Sequence, residues 1–100
     1  MDKRKFEWDP QKEKKNIIKH GINFHTAAKI FKDENRIIYF DYSHSLFERR
    51  EIAVGKVNDI LMVVYTTRIH YNQQYIRIIS ARLATKSERR KYYGHQKIYY

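Results

Sequence analysis

Arginines stand at 68, 77, 82, 89 and 90, and the first three lie in or at the ends of runs rich in Ile, Val and Tyr. The segment 77–93 reads RIISARLATKSERRKYY. A charged side chain is seldom buried without a partner. Arg77, set among Ile76, Ile78 and Ile79, therefore faces water, a carboxylate or an anionic ligand. The planar guanidinium fork offers two donors at once and suits phosphate. If runs 60–67 and 75–81 are antiparallel neighbours, Arg68 lies near the start of the second, within a few residues of Arg77. Guanidinium groups on one sheet face repel each other unless an anion lies between them, which points to a phosphate clamp. The competing reading pairs Arg77 with a carboxylate such as Glu48, Glu51 or Asp41 and makes it structural. Strict alternation along 75–81 puts Tyr75, Arg77, Ile79 and Ala81 on one face, and Ile76, Ile78 and Ser80 on the other.

The stretch DYSHSLFERR, 41–50, brings His44, Glu48 and Arg50 into one loop between strands. His or Glu can move a proton and Arg can stabilise charge in phosphodiester chemistry. A polar hairpin loop whose Asp and Ser residues only shape turns would read the same way. Nine tyrosines accompany the basic residues. They can stack on unpaired bases, but they serve equally well as sheet packing. His20, His25, His70 and His95 show no metal-ligand spacing, so no metal is expected. Without a Gly-rich phosphate loop or a nucleophile elbow, no cofactor is expected either.

These residues need a scaffold. One hundred residues suit one domain, here 1–100 with a flexible tail from 94. Lys and Arg number 21 against 11 Asp and Glu, a formal charge of +10. That excess points to a polyanion or an acidic protein partner. The chain has no cysteine and therefore no disulfide or thiolate site. No apolar run is long enough to span a bilayer, and no apolar segment follows MDKRKFEWD as a secretory signal would require. A cytoplasmic location is the expectation.

Asp9-Pro10 starts a helix that Gly21 ends, and Asn23 caps a second, with Phe24, Ala27, Ala28 and Phe31 on one face. The two helices would form a helical hairpin. Runs 36–41, 50–57, 60–67 and 75–81 read as strands, with a tight turn at Asn58-Asp59. Residues 5–8 could add a short edge strand. Thr85 and Glu88 form a capping box before a last helix over 86–93. The class is α+β: a helical hairpin packed on a small, mostly antiparallel twisted sheet of about four strands, with a C-terminal helix.

The blocks FEWDPQKEKKNIIKHGINFHTAAKIFKD (6–33), DYSHSLFERREIAVG (41–55), LMVVYTTR (61–68) and RIISARLATKSERRKYY (77–93) resemble the BrnT family of toxins from bacterial type II toxin–antitoxin systems. The resemblance implies a RelE-like fold and a metal-independent endoribonuclease that stops translation by cutting RNA. It also implies a BrnA-like, ribbon-helix-helix antitoxin that joins the toxin in a hetero-oligomer. The family's polar positions fall on His44, Glu48, Arg50, Arg68, Arg77 and Arg82, with Trp8, Lys19 and His20 in the N-terminal block. Glu48 or His44 is then the expected base, and Arg68, Arg77 and Arg82 the phosphate clamp. Lys19, His20, Arg50, Arg89 and Arg90 are expected to contact RNA. The alternative function is a non-catalytic module of the same fold that binds nucleic acid or the antitoxin.

Overall fold

The chain enters on a short strand, β1 (Lys5–Trp8), and turns at once into α1 (Pro10–His20). The computed structural model describes residues 4–96. The Asp9 carboxylate accepts from the Gln11 N–H at 2.8 Å, Pro10 fills the first helical position, and Gly21 closes the helix at φ 71°. Each residue suits its place: a free N–H needs an acceptor, Pro lacks the one it would waste, and glycine tolerates the left-handed turn. Asn23 caps α2 (Phe24–Ala28) through the Thr26 N–H at 2.7 Å. A single 3-10 turn, Lys29–Lys32, follows. Next come β2 (Ile37–Phe40), a 3-10 turn (Tyr42–His44), β3 (Glu51–Val57), β4 (Asp59–His70), β5 (Gln73–Leu83) and α3 (Lys86–Gln96). The capping box at the start of α3 is closed in both directions: Thr85 N–H donates to Glu88 at 2.8 Å and Glu88 N–H to Thr85 Oγ1 at 3.2 Å. Of the tail expected to be flexible, residues 94–96 continue α3, and 97–100 lie outside the described residues.

The sheet has five strands in the order β1-β5-β4-β3-β2. About four were expected, with residues 5–8 as an added edge strand, and that fifth strand is present. The Lys5–Trp8 segment is a full edge strand, and it pairs with β5 in parallel, so the sheet is mixed. The other pairings are antiparallel, as their short connections require. The expected helical hairpin is not seen as a packed pair. α2 has only five residues; α1 lies against β5, and α2 contacts both β5 and the 3-10 turn that follows it.

One sheet face holds the main core. Phe24, Ala27, Ile30 and Phe31 pack on Ala53, Leu61, Val63, Tyr65, Ile78 and Ala81. Gly55 allows that approach, because a Cβ there would stand 2.9 Å from the Cβ of Ile30. Buried Asn16 ties α1 to the sheet. β1 pairs with β5 only as far as Ile78. Beyond that point the Asn16 amide takes over the strand edge, donating to Ala81 O at 2.9 Å and accepting from Ala81 N at 3.0 Å. On the opposite face α3 covers one end, where Tyr92 packs on Val54, Ile60 and Met62 and its hydroxyl donates to Asp33. The rest of that face is the floor of the site.

Candidate active site

β4 and β5 pair from Leu61↔Leu83 to His70↔Gln73 with one irregularity. Val64 faces Ser80 and Tyr65 faces Ile78, so Ile79 is an extra residue, a bulge, on β5. Side chains alternate with every residue, so one inserted residue inverts everything after it. Strict alternation would separate Arg77 from Arg82. With the bulge, Arg77 stands opposite Thr66, Ser80 opposite Val64 and Arg82 opposite Met62, all on one face. Ile76, Ile78 and Ala81 turn to the core instead. This corrects the expectation that Arg77 and Ala81 share a face. Arg68, opposite Tyr75, and His70, opposite Gln73, join the arginine face by ordinary alternation from Thr66.

A loop brings in the remaining groups. Buried Thr66 donates its hydroxyl to Arg49 O at 2.6 Å, which pins the loop to the sheet. Inside the loop, Ser45 Oγ accepts from Arg50 N–H at 3.0 Å and donates to Asp41 O. Glu48 is thereby placed between two cations: Arg68 Nη2 lies 3.0 Å from Oε2 and Arg50 Nε 3.3 Å from Oε1. From the far edge, Glu7 on β1 meets Arg77 at 3.1 Å and His70 Nε2 at 3.0 Å and 3.2 Å. At the α3 end Arg82 holds Glu88 with two parallel bonds of 2.9 Å. Arg77 thus does pair with a carboxylate, but with Glu7 rather than Glu48, Glu51 or Asp41.

The carboxylates respond to these neighbours. Burial works to raise the Glu48 carboxyl, but hydrogen bonds from Arg68 and Arg50 outweigh it and hold the group below the usual carboxylate range. The same balance holds for Glu7, where His70 and Arg77 donate, and for Glu88, where Arg82 and the Thr85 N–H donate. These three carboxylates are thus anions at neutral pH. Against them stand the guanidinium groups of Arg50, Arg68, Arg77 and Arg82, so a positive balance remains for an anionic ligand.

The other candidate residues lie elsewhere. Lys19 and His20 are exposed in the last turn of α1, and no described hydrogen bond links them to the arginine face. Arg89 and Arg90 are exposed on α3. Trp8 packs edge-on against Phe24 at 6.1 Å, a core position. His44 closes the Tyr42–His44 turn, and its side chain lies outside the described part of the structure. A cleft of about 600 Å³ lies on the opposite, helix-bearing face and is lined by Arg4, Arg36, Glu51 and Tyr65 among others. Burial pushes the Tyr65 hydroxyl up to about 12, so it stays a neutral donor there. On the arginine face Arg68, Arg77 and Arg82 are partly exposed. No group of three or more His, Cys, Asp or Glu side chains placed to hold a metal ion occurs among the described residues. No described helix is long and apolar enough to cross a membrane.

Sequence reasoning missed Glu7, Thr66 and His70. For the last two a signal existed, since Thr66, Arg68 and His70 recur at every second residue of one strand. Glu7 carried none, because its neighbours come from a strand some seventy residues away. A family model described as the ribonuclease toxin BrnT of type II toxin–antitoxin systems matches residues 8–88. The chain belongs to the BrnT family. No curated protein matches it. The BrnT match covers Glu48, Arg50, Arg68, Arg77, Arg82 and Glu88, and Glu7 stands just before it. A type II system pairs a toxin with an antitoxin, so a BrnT-family chain has an antitoxin partner.

Proposed function

We propose that this BrnT-family chain is a cytoplasmic, metal-independent endoribonuclease of RelE-like fold that inhibits translation and is neutralised in a hetero-oligomer with a BrnA-like, ribbon-helix-helix antitoxin. The observation that carries the reading is the bulge at Ile79, which gathers Arg77 and Arg82 on the face that already holds Arg68, Arg50 and Glu48. In the reaction the RNA 2′-oxygen attacks the adjacent phosphorus while Glu48 accepts its proton. The 5′-oxygen leaves and takes up a proton, giving a 2′,3′-cyclic phosphate and a 5′-hydroxyl. Arg68, Arg77 and Arg82 stabilise the added charge on phosphorus and supply the electrostatic role a metal would otherwise fill. His44, in the same loop as Glu48, is the alternative base. Lys19, His20, Arg50, Arg89 and Arg90 would contact the flanking strand.

One observation favours a second reading. Arg50, Arg68, Arg77 and Arg82 each already have a carboxylate partner, as in a non-catalytic module that binds nucleic acid or antitoxin. Turnover separates the two. Induction of the wild-type chain should arrest growth and shorten total RNA, and Arg77→Ala with Arg82→Ala should abolish both while the purified variant stays folded. Cleavage by the purified chain should persist in excess EDTA. A folded wild-type chain that protects RNA without shortening it would establish the binding module.

A further inference from the structure

We infer that His70 is the general acid of the proposed ribonuclease reaction and that Glu7 is its positioning residue. This inference rests on the ribonuclease reading. A departing 5′-oxygen needs a proton as much as the 2′-hydroxyl needs to lose one, and Glu48 can serve only one of these steps at a time. The structure offers a second proton carrier on the same face. His70 follows Arg68 by two residues on β4, so their Cα atoms lie about 7 Å apart on one side of the sheet. Arg68 is held by Glu48 and His70 is held by Glu7. The groups therefore run in the order Glu48, Arg68, His70, Glu7, Arg77. Base and acid stand on either side of a clamp arginine, as attack on one side of phosphorus and departure from the other requires.

The imidazole is fixed for this work. Nε2 faces both Glu7 oxygens at 3.0 Å and 3.2 Å. Nδ1 has no hydrogen-bond partner among the described residues and is left to donate to the 5′-oxygen. The groups facing the ring are Glu7 from β1, Tyr75 from β5 with ring centres 5.2 Å apart, and Arg68 two residues back on its own strand. Arg77 donates to the same Glu7 carboxylate at 3.1 Å, so Glu7 links the acid to the clamp. The two-residue turn Tyr71-Asn72, with φ of 51° and 65°, closes the β4–β5 hairpin right after His70 and fixes its height. His70 is exposed enough for RNA to reach it, with 45% of its side chain accessible. In the step, the P–O5′ bond breaks, the Nδ1 proton passes to the 5′-oxygen and neutral imidazole remains. The proton that Glu48 holds then returns to the imidazole through water.

The test uses the bond that the wild-type chain cuts in total RNA, with ribosomes present. That bond is rebuilt in a synthetic RNA with sulfur in place of the 5′-bridging oxygen, because a thiolate leaves without needing a proton. Wild type, His70→Ala, His70→Gln and Glu7→Gln are compared on the oxygen and sulfur substrates, with thermal melting as the folding check. On the oxygen substrate we expect a loss of roughly 10²- to 10⁴-fold for the His70 variants and a smaller loss for Glu7→Gln. On the sulfur substrate the two His70 variants should recover to near wild-type rates and Glu7→Gln in part, since Glu7 also holds Arg77, whereas Glu48→Gln should stay slow. A folded His70 variant that cuts the oxygen substrate at the wild-type rate, or is equally slow on both, overturns the assignment. A folded wild type that cuts neither substrate overturns the ribonuclease reading itself.

Discussion

Glu48 lies between two guanidinium groups and would need to exchange partners when RNA arrives. In the proposed reaction, as an anion among arginines, it has two opposing effects on the substrate. It supplies a proton acceptor, and it competes with the phosphate for Arg68 and Arg50. Glu48→Gln removes both the base and the competing charge. The variant should lose cleavage by roughly 10²- to 10⁴-fold, yet bind RNA as tightly as wild type or more so. Parallel cleavage and fluorescence-anisotropy titrations would separate these effects, and weaker binding with unchanged turnover would deny Glu48 its base role. The Arg82–Glu88 pair has a different character. Its two parallel bonds of 2.9 Å tie the end of β5 to the first turn of α3, where Glu88 also closes the helix cap. Arg82 therefore anchors an element as well as offering a donor fork, so thermal melting of the Arg77→Ala, Arg82→Ala chain is the control that separates lost activity from lost stability.

At the scale of elements, the bulge on β5 makes a prediction that strict alternation reverses. Ala81 is 1% exposed in the main core, and Ser80 stands on the arginine face. Ala81→Leu should overpack the core and cost about 1–3 kcal/mol, whereas Ser80→Leu should change stability by well under 1 kcal/mol. Denaturant unfolding of the two variants decides the matter, and the opposite ranking would show that β5 runs without the bulge. The same strand shows how much of the fold was legible from local chemistry. Asp9-Pro10, Gly21, Asn23 and the Thr85–Glu88 box mark helix ends correctly, because a cap is satisfied within three or four residues of itself. The hairpin of helices was misjudged, since the apolar stripe through Phe24 and Phe31 spans a five-residue helix and then a 3-10 turn.

The whole molecule carries a formal charge of +10, and its consequences are electrostatic. In the proposed complex Arg68, Arg77 and Arg82 share the scissile phosphate and Arg50 contacts a flanking one, so these two phosphate contacts alone should give single-strand affinity a log–log salt slope of about −1.4. Arg50→Ala should reduce that slope by about 0.7, which titrations at several salt concentrations would measure. The folded state also depends on its depressed carboxylates. Glu7, Glu48, Glu88 and Asp33 are held below their ordinary values of 4.5 for Glu and 3.8 for Asp. A depressed carboxyl contributes stability that is complete above its unfolded value and lost as pH falls through the folded one. The melting temperature should therefore hold steady near neutral pH and drop progressively below about pH 5. Glu48→Gln should flatten part of that acid limb.

The sequence alone determined the α+β class, the helix caps, the strand-forming runs, the basic excess and the resemblance to BrnT toxins. Each of these is local or additive: periods of two, caps within a turn, and charges that sum regardless of position. Only the tertiary structure decided which arginines share a face. Arg77 and Arg82 are an odd number of residues apart, and their shared face depends on one extra residue whose presence no period reveals. The partners of Arg77 and His70 depend on a parallel edge strand that brings Glu7 across seventy and sixty-three residues of chain. Such pairings follow from how strands order themselves in a sheet. That order is set by burying apolar faces on both sides at once, which no short window of sequence contains.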